Sequence, residues 1–324
     1  MAKDAVLLES TAVQYLNANG GWAEGDATFS GASRTTDAYI TYYQKSRHIF
    51  GDMKIEIFDQ DGKLMDTIAG SKHRGLNRAT WSMRLKPPMV PPAATAAFEA
   101  TTGPRVLPGT YTVKMTKGDQ VYTSKLKVVL DPRAKYTEQD RRAQYDLSMK
   151  LYKVLGRLSY AVDSIAGVRD GATVRAAKLQ SGDPLRKNLE QLSQQADALR
   201  SKIVATKEGG AITGEQRLRE FVAENYGYVN NYDGRPTDDQ VARTDALSRE
   251  LDDVIHELNQ LTARQLPAIN TALQRKKLEP IQTVSQEQWE KAHEGEGTGT
   301  TAGVTRWLQR QRGEMGEEND RDRD

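Results

Sequence analysis

Apolar residues change their period near Pro132, and that switch decides what the chain can build. Upstream they tend to alternate, which is the period of a strand with one buried face. Downstream they recur at three and four, which is the period of a helix with one apolar stripe. The pattern predicts an α+β protein with strands first and helices second.

The upstream part reads as short strands and tight turns. Ala38–Gln44 is aromatic and β-branched and predicts a strand. Met53, Ile55 and Ile57 alternate with Lys54 and Glu56, Asp59-Gln60-Asp61-Gly62 supplies a turn, and Lys63–Ala69 returns. A strand is expected over Leu76–Leu85 with Trp81, Met83 and Leu85 on one face. Pro87-Pro88 and Pro91-Pro92 then make Lys86–Pro108 a long loop, because proline donates nothing to a sheet ladder. Thr110–Lys117 points Tyr111, Val113 and Met115 inward, and after a Gly118-Asp119 turn Val121–Leu130 does the same with Tyr122, Leu126, Val128 and Leu130. Six or seven strands of this kind predict a small antiparallel β-sandwich. Residues 1–37 give no clear element, and Asn17–Gly25 reads as loop.

Asp131-Pro132-Arg133 closes that part. Thr137 is a helix cap, and Leu147, Leu151, Leu155, Leu158, Val162 and Ile165 form one stripe, interrupted at Gly171. Pro184 opens a second helix carrying Leu185, Leu189, Leu192, Ala196, Leu199 and Ile203, which Gly209-Gly210 ends. A mixed loop with Phe221, Tyr226, Tyr228 and Tyr232 follows, and Asn230–Pro236 likewise reads as loop. Thr237 with Gln240 is a capping box for a third helix with Val241, Leu247, Leu251, Val254, Ile255, Leu258 and Leu261, which Pro267 kinks or restarts before Ile269 and Leu273. This predicts an antiparallel three- or four-helix bundle. From Gln282 the chain is polar and then charged, which predicts disorder with a short helix near Thr305–Gln311. The expected organisation is an N-terminal segment (1–37), a β-sandwich (38–131), a helical bundle (137–281) and a tail (282–324). The 324 residues suit two domains at roughly 100–200 residues each.

Several chemistries lack their residues. With no cysteine there is no disulfide, thiolate metal site or Cys nucleophile. His48, His73, His256 and His293 show no metal-ligand spacing, and Asp59-Gln60-Asp61-Gly62 lacks the ligands of an EF-hand calcium loop. No phosphate loop, dinucleotide fingerprint or serine elbow occurs. No catalytic residue, metal or cofactor is therefore assigned. A net charge of +2 gives no strong electrostatic case for nucleic acid or an anionic membrane as partner, and no apolar run approaches the ~20 residues of a membrane span. Two candidate binding surfaces remain. The basic cluster Lys72-His73-Arg74 with Arg78 suits an anion, and Tyr226, Tyr228 and Tyr232 suit stacking on sugar or peptide. Met1-Ala2-Lys3-Asp4 before so short an apolar run is no secretory signal. Taken literally, that predicts a cytoplasmic protein, unless the chain is the later part of a longer exported one.

One ordered series of motifs carries a resemblance. Met53–Leu64, Arg74–Arg84 (Arg-Gly-Leu-Asn-Arg-Ala-Thr-Trp-Ser-Met-Arg), Gly103–Val113 (Gly-Pro-Arg-Val-Leu-Pro-Gly-Thr-Tyr-Thr-Val) and Leu130-Asp131-Pro132-Arg133 occur in that order, followed by Arg235-Pro236-Thr237 and Leu266–Asn270. Together they resemble the C-terminal region of bacterial sortilin-like proteins built on a BNR/Asp-box propeller, often labelled glycosyl hydrolase. The resemblance covers residues 35–281. It implies an Ig-like sandwich, similar also to the hook-capping type, followed by a helical segment, with export and an upstream propeller. The chain carries no Asp-box, so any hydrolase activity implied by the label would belong to the propeller. Gly75, Asn77, Trp81, Pro108 and Gly109, which match, have structural roles. The reading that follows is a non-catalytic accessory or assembly module binding another protein. A glycoside-hydrolase-type enzyme with its catalytic part elsewhere, or a carbohydrate-binding module, is the alternative.

Overall fold

A computed structural model describes residues 4–15, 35–207, 209 and 214–293. It is a mixed α and β protein, with eight strands in two sheets and five α-helices among the described residues. The chain divides into two compact units. One takes residues 1–86, 104–145 and 233–235 and holds the sheets; the other takes 87–103, 146–232 and 236–324 and holds most of the helices.

In the sheet unit, β1 (Ala5–Leu7), β3 (Ala38–Gln44) and β6 (Gly75–Trp81) form an antiparallel sheet in the order β1-β3-β6. The second sheet runs β2 (Val13–Gln14), β8 (Gln120–Val129), β7 (Gly109–Lys117), β4 (Met53–Phe58), β5 (Leu64–Ala69), antiparallel except where β2 joins β8. Alternation does what the sequence asks of it. Ile40 and Tyr42 of β3, Ile55 and Ile57 of β4, Ala79 and Trp81 of β6, Tyr111, Val113 and Met115 of β7 and Leu126 and Val128 of β8 enter one apolar cluster. Trp81 meets Tyr111 edge to face at 5.1 Å, and the Tyr111 hydroxyl donates to the Leu107 carbonyl at 2.6 Å. The β4–β5 turn is an Asx turn. The Asp59 carboxylate accepts the Asp61 and Lys63 N–H groups, and Gly62 takes φ +77°.

Two expectations change here. β6 stops at Trp81 rather than running to Leu85, because Met83 takes a left-handed φ of 55° and the chain turns into a single bridge between Arg84 and Arg105. Met83 is buried all the same. The segment 1–37, without a predicted element, contributes β1 and β2. Tyr15, just after β2, donates its hydroxyl to the Val106 carbonyl and lies near the guanidinium groups of Arg105 and Arg141. Short edge strands of two and three residues are too brief for alternation to reveal.

The helical unit contains α2 (Pro184–Ile203), α3 (Leu218–Asn230), α4 (Asp238–Arg275) and α5 (Gln286–Ala292); α1 (Glu138–Ala176) starts in the sheet unit and counts with the helical one from Asp146. The predicted leucine stripes of α1 and α2 are buried throughout. Asp183 caps α2 through the Leu185 N–H, and Thr237 and Gln240 cap α4 reciprocally. Side-chain pairs give the helix directions. Arg169 with Asp197 and Thr173 with Ser193 set α2 antiparallel to α1. Gln195 with Gln265 and Lys202 with Glu257 set α4 antiparallel to α2. Lys150 with Asp245 and Arg157 with Asp252 advance together, so α1 and α4 run parallel.

Glycine and proline break fewer helices than their local preferences predict. α1 continues through Gly171 to Ala176, and α4 is continuous through Pro267, whose neighbours Leu266 and Ile269 are buried on either side. α2 ends at Ile203, ahead of Gly209. Val241 is exposed and lies off the α4 stripe. The supposed loop around Phe221, Tyr226 and Tyr228 is α3. Past Gln282 the chain forms α5, with Trp289 buried and its indole N–H donating to Asp163 at 3.0 Å. Thr305–Gln311 lies outside the described residues. The proline-rich stretch contains a 3-10 turn at Phe98–Ala100 and belongs in part to the helical unit. Arg219 of α3 holds it, donating to the carbonyls of Pro91 (2.9 Å) and Thr95 (3.1 Å) while pairing with Glu220.

Candidate functional site

In the sheet unit, two loops leave the same end of the three-stranded sheet; buried side chains anchor one of them, and a backbone hydrogen bond joins the other to it. Gln44, fully buried at the end of β3, donates from Nε2 to the carbonyls of Ser71 (2.8 Å) and His73 (3.1 Å). Asn77 donates from Nδ2 to the carbonyls of His73 (2.8 Å) and Gly75 (3.0 Å) and accepts from the Ser71 hydroxyl (2.8 Å). Tyr42 donates its hydroxyl to Ser71 O at 2.9 Å, and the backbone N–H of His48 donates to Lys72 O at 3.0 Å. Buried side-chain donors hydrogen-bonded to loop carbonyls fix a loop more firmly than surface contacts do. They hold the turn Lys72-His73-Arg74 to the sheet, and the His48 N–H joins the loop Lys45–Asp52 to that turn.

The platform is cationic with an apolar tip. Across residues 44–52 and 70–78 stand Lys45, Arg47, Lys72, Arg74 and Arg78 against one carboxylate, Asp52. Asp52 is fully exposed and 4.0 Å from Lys72, a solvated pair of little energetic weight. Neighbouring Asp4 is engaged by Lys117, and that hydrogen bond holds its carboxyl below the usual range. At the loop's turn Ile49 is 69% exposed and Phe50 84% exposed, followed by Gly51 at φ +78°. Leu76 of β6 and its cross-strand partner Tyr43 of β3 are exposed as well. Arg78 stands on the outer side of the same sheet, its guanidinium 4.4 Å from the Tyr39 ring centroid. Lys72 and Arg74 thus share one loop, while Arg78 lies further along β6. The alternation and turn patterns of the sequence do not point to the Ile49-Phe50 tip. Two large apolar residues directly before a glycine, between two strands, were the available signal.

In the helical unit the three tyrosines separate. Tyr226 is fully buried and donates its hydroxyl to Thr102 O at 2.7 Å, so it leaves the proposed stacking surface. Tyr228 and Tyr232 are 61% and 57% exposed. Tyr228 donates to Glu224 at 3.1 Å, which raises its phenol pKa. α3 was recognisable from Leu218, Val222, Tyr226 and Val229, all buried, at spacings of four, four and three. Gly227 obscured it. That glycine is where the turn Phe98–Ala100 crosses the helix: a Cβ there would lie 2.5 Å from Glu99 Cβ. Phe98, 74% exposed, lies on that turn, next to Glu99. Arg243 of α4 pairs with Glu224 and lies 5.4 Å from the Phe221 ring centroid. Aromatic residues bordered by an arginine are the composition of protein-binding surfaces.

Other candidates resolve into structure. His256 is exposed and contacts Gln260, and the His293 ring stacks on Trp289 at 4.3 Å. No group of three or more His, Asp or Glu side chains suited to a metal occurs among the described residues. A cleft of about 500 Å³ lies among Gly167, Gly171, Arg175 and 279–282, where Arg175 donates to the carbonyls of Gly171, Glu279 and Pro280. That arginine is a clasp for the chain after α4. No helix among the described residues is long and apolar enough to cross a membrane. Compared with known proteins, the chain matches no family model and no curated protein.

Proposed function

We propose that the chain is a non-catalytic accessory or assembly module, an Ig-like β-sandwich followed by a helix bundle, that docks another protein through the outer face of α3. One observation carries this reading: Phe98, Tyr228 and Tyr232 are each more than half exposed in a well-packed unit. Surface rings on rigid elements lose little entropy on binding and tend to dominate interface energies. The resemblance to the C-terminal region of sortilin-like propeller proteins belongs to the same proposal. It names an upstream propeller as one partner and implies an exported protein. Hydrolase chemistry, on that resemblance, belongs to the propeller.

The test is affinity capture with the purified chain against Phe98→Asp/Tyr228→Asp as a matched bait. A partner held by the wild type and lost from the variant, with unchanged circular dichroism, is the expected result. Equal capture by both baits refutes the docking face. A second reading, carbohydrate binding, is favoured by the exposure of Tyr228 and Tyr232, because such rings stack on sugar faces. Glycan-array signals abolished by Tyr228→Ala would favour it over protein docking.

A further inference from the structure

The loop platform of the sheet unit lies outside that reading. We infer that it is a peripheral site for an anionic lipid surface, in which Ile49 and Phe50 enter the interfacial layer and Lys45, Arg47, Lys72 and Arg74 meet the headgroup phosphates.

Three observations support lipid over other anionic partners. First, the apolar pair is a tip. Phe50 at 84% and Ile49 at 69% exposure have almost no protein around them, on a loop turned by Gly51. A projecting tip fits a deformable medium, which closes around whatever enters it; a free phosphate or a polyanion offers such a tip nothing. Second, the charge is arranged around the tip. Lys45 and Arg47 precede it on the same loop, and Lys72 and Arg74 lie on the loop hydrogen-bonded to it through His48 N–H and Lys72 O. The net formal charge of residues 44–52 and 70–78 is five cations less one carboxylate, or +4, in a chain whose total is +2. Apolar residues ringed by Lys and Arg are the pattern of interfacial anchoring, and each basic side chain near an anionic surface adds roughly fivefold to partitioning. Third, the cationic loop is anchored. The buried Gln44 and Asn77 amides bind Ser71–Gly75 to the sheet, and the His48 N–H joins the tip loop to that anchored loop at Lys72 O. Acidic groups facing the site are few. Asp52 is solvated, and Asp4 is occupied by Lys117.

Vesicle co-sedimentation tests it with the full chain. The probes are phosphatidylcholine vesicles with and without about 30% phosphatidylglycerol, in about 0.1 M salt. Binding to the anionic vesicles and not to the neutral ones is expected. Lys72→Gln/Arg74→Gln should weaken it about 25-fold, two steps of about fivefold each. Ile49→Ser/Phe50→Ser should weaken it about tenfold or more, since a buried phenyl ring alone contributes that much. The tip side chains support no core, so this variant keeps the wild-type thermal midpoint. Phe50→Trp gives an independent readout, a blue shift of emission on adding anionic vesicles. Absence of binding overturns the inference. Binding that survives removal of both tip residues overturns it too, since charge alone would then suffice, as it would for an acidic protein.

Discussion

Replacing Arg219 with Met tests how the proline-rich excursion is held to the helical core. Arg219 is 4% exposed, and its guanidinium donates to Pro91 O, Thr95 O and Glu220. The Thr95 hydroxyl also donates to Glu220 at 2.8 Å, so arginine, glutamate and loop form one network. Burial is the largest influence on the arginine and pushes its pKa down, against the opposing pull of Glu220. Methionine fills the space of the stem but leaves the two carbonyls without the guanidinium and takes the only charged donor from Glu220, which keeps the Thr95 hydroxyl and the Arg217 N–H. Removing one partner from a buried charged network costs about 3–5 kcal/mol. For a unit of this size that lowers the melting temperature by roughly 10 °C. Differential scanning calorimetry measures the shift, and limited proteolysis should show earlier cleavage within residues 91–100 of the variant. A loss under about 1 kcal/mol with unchanged cleavage would refute the network, since that is the scale of an ordinary surface substitution.

Gly227→Ala tests a sign. In an unobstructed helix the change stabilises by about 1 kcal/mol, but here the new methyl meets Glu99 Cβ at 2.5 Å and the backbone of Glu99 at 3.4 Å. Urea titration should therefore show destabilisation of about 1–3 kcal/mol. Leu151→Ala, at a fully buried position of the α1 stripe, should cost about 2–5 kcal/mol in the same assay. Glu215 accepts the Thr206 N–H and pairs with Arg217, and these hold its pKa at about 2 against an ordinary 4.5. A carboxylate depressed on folding favours the folded state above its unfolded pKa, and that contribution is lost as pH falls from about 4.5 through about 2. Carboxyl-carbon NMR titration should find the low value, and Glu215→Gln should flatten the acid limb of stability over that window.

What the sequence disclosed follows from the length of each signal. The leucine stripes of α1, α2 and α4 repeat over many turns, and the hairpin from Met53 to Ala69 carries both alternation and turn chemistry; each was legible with its faces. β1 and β2 were not, because three and two residues carry no period. α3 was hidden by Gly227, a glycine required by a close crossing rather than by a turn. Gly171 and Pro267 misled in the same way, since packing on both sides overrode local preference. Lys72 and Arg74 were visible as a basic cluster. Their relation to Ile49 and Phe50 depends on the bond from the His48 N–H to the Lys72 carbonyl, 24 residues away, which no local pattern encodes. Tyr226 was a surface candidate by type and proved a core residue by helix phase.

The docking face on α3 is tested most directly by placing a photo-crosslinking amino acid at Tyr228 and irradiating the chain in the cells that produce it. The account predicts a discrete protein adduct at Tyr228 and none at Arg264, an exposed position elsewhere on the helical unit. Absence of adducts at Tyr228, or the same adducts at both positions, would contradict it.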